Sequence, residues 1–119
     1  MNKTPLFDWH MEAGANMADF GGYSMPLWYP AGIKEEHLAV IHSAGIFDTS
    51  HMAVVLVDGP DSFELLQECY SKDLTRCIGL KKSPITEGKC VYGVFLDEKA
   101  HVIDDAIVYK VDKDLYMIV

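Results

Sequence analysis

An eleven-residue run near the C-terminal end, HVIDDAIVYKV (His101–Val111), constrains the fold most. Its apolar residues alternate, and as a β-strand it puts Ile103, Asp105, Ile107, Tyr109 and Val111 on one face and Asp104 on the other. The expectation is that Asp105 interrupts an apolar, buried row. A carboxylate in such a row must find hydrogen-bond partners or change its protonation, because an unpaired buried charge costs several kcal/mol. Two roles are open to Asp105: it accepts hydrogen bonds from a neighbouring loop, or it works in a site. A proton-sharing Asp104–Asp105 dyad is excluded, since adjacent strand residues face opposite sides.

The rest of the chain supplies partners for such a strand. Thr4-Pro5 predicts a helix start, with Leu6, Trp9 and Ala13 at helical spacing and Gly14 as the stop. Met17–Tyr29 carries Phe20, Tyr23, Trp28 and Tyr29 around Gly21-Gly22, an extended segment with a tight turn. Its aromatics suit either a flat-ligand pocket or the core of a small domain. Gly32–Ala44 predicts a second helix ended by Gly45. Met52–Val57 is apolar on both faces and predicts a central strand.

Asp58-Gly59-Pro60 opens a third helix with Phe63, Leu66, Cys69 and Tyr70 along one face, and residues 71–88 read as loop. Three strands follow, Cys90–Leu96, Val102–Val111 and Leu115–Val119. The fold class expected is α+β: an antiparallel sheet with packed helices, with a ferredoxin-like unit lacking its last helix in the C-terminal half. The expected division is 1–49 and 50–119, the first being an incomplete part of a larger domain.

Composition excludes several functions. Against 18 acidic residues stand 10 basic ones, scattered except for Lys81-Lys82, and the net charge is -8. Nucleic acid, which is bound by clustered Lys and Arg, is not an expected partner. No apolar run reaches the length of a membrane span and MNKTPLFDW has no signal-peptide core, so a cytoplasmic location is expected. Cys69, Cys77 and Cys90 are an odd, widely spaced set, expected to be reduced, with Cys69 and Cys90 as small core residues. The five histidines lack metal-ligand spacing, and no dinucleotide, P-loop or nucleophile-elbow motif is present.

Three blocks in series carry a resemblance: TPLFDWHMEAGANMADFGGYSMPLWY, EEHLAVIHSAGIFDTSHM and VIDDAIVYKV. Together they resemble the opening of the glycine cleavage T-proteins, tetrahydrofolate-dependent aminomethyltransferases. The resemblance runs in order from Thr4 to Val119. It implies transfer of the aminomethyl group from the lipoyl arm of H-protein to tetrahydrofolate, with release of ammonia. By similarity Asp105 is the essential carboxylate, and Met52, Tyr92 and Tyr109 line the folate pocket. Later residues of that family's site have no counterpart in these 119 residues, so a fragment, inactive alone, is expected.

The chain departs from the family pattern at Ala100-His101, where two glycines are usual, at Tyr23 and at Ala53. A folate-dependent demethylase of the same superfamily and a non-catalytic folate-binding relative are the alternatives. The apolar end Leu-Tyr-Met-Ile-Val leaves open a homodimer through the C-terminal strand.

Overall fold

The computed structural model describes residues 1–119 and divides into two compact units, Met1–Met52 and Ala53–Val119. It is α+β, with antiparallel sheets and few helices.

The first unit holds β1 (Asn2–Lys3), α1 (Phe7–Glu12), β2 (Asn16–Phe20), β3 (Tyr23–Trp28) and α2 (Ile33–His42). β2 and β3 form the hairpin that Gly21-Gly22 predicts: both glycines have positive φ, 58° and 83°, as a two-residue turn of this hand requires. β1 joins β3 in parallel, giving the order β1-β3-β2. The first helix starts later than expected, at Phe7, because the Thr4 hydroxyl is used elsewhere. Its apolar residues Leu6 and Trp9 are exposed, and its buried side chain is His10. The second helix stops at His42, three residues before Gly45, and has no fully buried residue.

The second unit holds β4 (Val55–Asp58), α3 (Ser62–Cys69), β5 (Cys90–Leu96), β6 (Val102–Asp112) and β7 (Leu115–Ile118). Its sheet has the order β4-β7-β6-β5, antiparallel throughout. A short turn follows β6, so β7 folds straight back beside it and takes the place next to β4. Consequently β4, apolar on both faces and expected to be central, is an edge strand, with Val55 and Leu56 exposed. By the same placement β7 has neighbours on both edges, which closes the dimer route that the apolar C-terminal strand left open.

One face of the sheet carries the core. Leu66 and Tyr70 pack there with Leu74, Ile85, Val108 and Tyr116, all buried. Each fully buried side chain of this size contributes about 1.5–3 kcal/mol. Leu66 and Tyr70 are one helical turn apart, which is why the α3 region presents both to the sheet. Cys69 points away and is exposed, as is Cys90, so neither is a core residue. Cys77 is the partly buried one, packed against the cluster.

Candidate functional site

The paired register fixes which residues share a face. Cys90 lies opposite Tyr109, Tyr92 opposite Ile107 and Val94 opposite Asp105, while Gly93 faces Ala106 and Val91 faces Val108. Ala106 and Val108 are buried beneath α3, so the set with Tyr92, Asp105, Ile107 and Tyr109 lies on the opposite, outer face. Bulges interrupt the ladder near Ile103 and near Val111 and leave a regular row of Asp105, Ile107 and Tyr109 between them.

This corrects the burial expected of Asp105. The alternation holds, but α3 and the 71–88 loop cover the other face, and Asp105 is exposed. It has a partner nonetheless. Diagonally across the two strands the Tyr92 hydroxyl donates to Asp105 Oδ2 at 2.9 Å. That hydrogen bond, with the negative charge behind it, pushes the Tyr92 phenol above its ordinary range. Tyr92 is 57% exposed, so an aromatic ring and a carboxylate stand together on an open surface. Met117, opposite Tyr109, and Leu56, opposite Met117, extend the apolar surface across the sheet.

The structure therefore brings Tyr92, Asp105 and Tyr109 onto one face of one sheet. Met52 belongs to the first unit, where it is exposed and ends a turn with its N–H bonded to Thr49 O at 3.0 Å. The surface suits a flat heterocycle with N–H groups: rings and aliphatic side chains supply the floor, and Asp105 Oδ1 supplies an acceptor. No set of three or more His, Cys, Asp or Glu is placed to ligate a metal ion. No helix is long and apolar enough to cross a membrane.

A polar network in the first unit went unread in the sequence. The His10 and Asp48 side chains are 3% and 2% exposed, and Nε2 lies 2.9 Å from Asp48 Oδ2. The other ring nitrogen, Nδ1, lies 2.7 Å from the Tyr29 hydroxyl. Thr4 Oγ1 donates to Asp48 Oδ2 at 2.8 Å and the Ser50 N–H to Oδ1 at 2.9 Å. Burial alone would raise the Asp48 carboxyl, but the hydrogen bonds from His10, Ser50 and Thr4 outweigh it and hold it well below the usual carboxylate range. Tyr29 moves the other way, raised by burial and by the negative charges of Glu36 and Asp48. His10, Tyr29 and Asp48 border an apolar cavity of about 350 Å³ with Leu6, Trp9 and Ile46. Thr4 and Asp48 are 44 positions apart, so no local spacing could have linked them.

Comparison with known proteins meets this geometry. Residues 6–119 match the family model described as the GCVT N-terminal domain. The chain belongs to that family, that of the aminomethyltransferases or glycine cleavage T-proteins. Among curated relatives, the aminomethyltransferase of Thermotoga maritima is 42% identical over 114 residues, 96% of this chain and 29% of the relative. That of Chlorobium limicola is 40% identical over 119 residues, all of this chain and 30% of the relative. The chain thus spans under a third of the length of these relatives. The crystal structure of glycine cleavage system aminomethyltransferase T from Bartonella henselae superposes with a TM-score of 0.82 at 33% identity, covering 98% of this chain and 30% of that one.

Proposed function

We propose that this chain supplies the carboxylate-bearing part of the folate surface in an aminomethyltransferase of the glycine cleavage system. The reaction is transfer of a one-carbon unit from aminomethyl-lipoyl H-protein to tetrahydrofolate, with release of ammonia, in the cytoplasm. The observation that carries it is the Tyr92–Asp105 hydrogen bond of 2.9 Å on a face shared with Ile107 and Tyr109. Tetrahydrofolate supplies the nucleophilic nitrogens that receive the carbon.

Asp105 works as acceptor and base. One of its oxygens, Oδ2, is occupied by the Tyr92 hydroxyl, which fixes the carboxylate plane and leaves Oδ1 to accept a proton from an N–H of the acceptor. The carboxylate is exposed, so Oδ1 is open to an incoming N–H. Tyr92 and Tyr109 hold the ring system by contact. H-protein is the donor partner, and tetrahydrofolate is the one small molecule held on this surface.

The test is methylenetetrahydrofolate formation by the intact protein, given aminomethylated H-protein and tetrahydrofolate, with Asp105→Asn beside it. Removal of the base is expected to lower kcat by about 10²–10⁴-fold. An Asp105→Asn protein as active as the wild type would refute the assignment. If the wild type is inactive but removes a methyl group from another donor in the presence of the same folate, the demethylase reading takes its place. The 119 residues alone are expected to show no turnover, since they match under a third of the relatives' length.

A further inference from the structure

The segment after α3 reaches across both strands that carry Tyr92 and Asp105. Tyr70 is buried, and its hydroxyl lies 2.9 Å from Val91 O on β5 and 2.8 Å from Ala106 O on β6, so one proton is shared between carbonyls of adjacent strands. Ala106 directly follows Asp105. The ring fills a notch that only small residues leave. A Cβ added at Gly93, which faces Ala106, would meet Tyr70 Cζ at 2.7 Å and its oxygen at 2.9 Å. The next residue completes the grip: the Ser71 N–H donates to Val94 O at 3.0 Å, and Ser71 Oγ accepts from the Val94 N–H at 2.9 Å. Val94 is the residue directly opposite Asp105. Both outward backbone groups of the strand edge are therefore held at the level of the carboxylate.

We propose that Tyr70, with Ser71, is a positioning residue for the Tyr92–Asp105 pair, setting the separation of β5 and β6 from the core side so that the phenol reaches Oδ2 on the outer side. This rests on the reading of Asp105 as the working carboxylate. Tyr70 touches no reacting atom. It acts through two carbonyls and a glycine, and its effect is on the geometry of a diagonal hydrogen bond whose donor and acceptor sit on different strands. A catalytic group displaced by a fraction of an ångström loses rate without losing ligand contact, so the signature is in kcat rather than KM.

The experiment compares wild type, Tyr70→Phe, Ser71→Ala and Asp105→Asn in the intact protein. It reads kcat, KM for tetrahydrofolate, and the Cζ resonance of Tyr92 in tyrosine-labelled protein. Tyr70→Phe keeps the ring and removes the shared proton. Expected is a fall in kcat of about tenfold with KM changed less than about twofold, and a Tyr92 resonance moved toward its value in Asp105→Asn. A residue that merely supports the fold would leave that resonance in place. If Asp105→Asn is inactive and Tyr70→Phe keeps both kcat and the resonance, the positioning role is overturned and the catalytic reading stands. If Asp105→Asn keeps full turnover, the catalytic reading fails first and this inference goes with it. Should Tyr70→Phe not fold, exposed Ser71 decides: Ser71→Ala is expected to move the Tyr92 resonance in the same direction, and an unmoved resonance overturns the proposal.

Discussion

Replacing Ala100 tests the turn that joins the two strands of the site. The hairpin runs from Asp97 to His101, with the Ala100 N–H bonded to Asp97 O at 2.9 Å and the Asp97 N–H to His101 O at 2.9 Å. Ala100 has φ 62°, in the left-handed region, where a three-residue hairpin loop ordinarily places glycine. An L-residue with a Cβ costs about 1–2 kcal/mol there. Glycine removes that cost but enlarges the unfolded ensemble, which offsets about 0.4–1 kcal/mol. Ala100→Gly is thus expected to stabilise by about 0.5–1 kcal/mol. The unit from Ala53 to Val119 has 119 − 52 = 67 residues, and at about 2.1 cal/mol/K per residue this raises its Tm by about 3–7 °C. The bonds from the Lys99 and His101 N–H groups to Asp97 Oδ1, both 2.8 Å, involve no Ala100 atom and should persist. Thermal unfolding followed by circular dichroism, with amide hydrogen exchange along β5 and β6, reads the effect. The order expected is Gly, then Asn, then Ala, then Val, since Asn tolerates this region and a β-branched residue does not. A Gly variant no more stable than wild type, or a Val variant as stable, would refute the argument.

Other expectations follow from burial and charge. Asp48→Ala leaves His10 Nε2 and Thr4 Oγ1 without their partner and should cost about 2–4 kcal/mol in chemical denaturation. Because Asp48 titrates lower folded than unfolded, it stabilises above its unfolded value near 4 and that stability is lost as pH falls below it; the acid limb should flatten in Asp48→Ala, and an unchanged limb would contradict the network. Gly93→Ala should destabilise by about 1–3 kcal/mol through collision with Tyr70, whereas Gly59→Ala, which meets no atom within 4 Å, reports only backbone strain at φ 127°. Tyr92 should titrate closer to about 10 once Asp105 is replaced by Asn, and a titration unmoved by that change would deny the hydrogen bond.

The order of elements in the second unit was legible because period-two patterning and turn residues are local. The three C-terminal strands start at the predicted residues, Cys90, Val102 and Leu115, and end within a residue of the predicted ends. What lay beyond reach was non-local. Alternation divides β6 into two faces, but only the packing of Leu66, Tyr70, Leu74 and Ile85 decides that Ala106 and Val108 are inside and Asp105 outside. Apolar residues on both faces of β4 read as central, yet its place at the edge follows from how β7 returns. His10 sits on a helix whose apolar spacing pointed to Leu6 and Trp9, and its partners lie in distant segments. Gly93 was the unread local signal: a glycine inside an apolar strand marks a close approach, here that of Tyr70.

The two borders of the second unit's sheet are unlike. Beside β5, Ser71 already occupies the backbone groups of Val94, and Tyr70 bridges to Phe95, so that border is capped at its Val94–Phe95 end. Beside β4 the sheet's own strands leave Val55–Asp58 unpaired on one side. A strand approaching from outside would meet paired groups level with the carboxylate on β5 and open ones along β4.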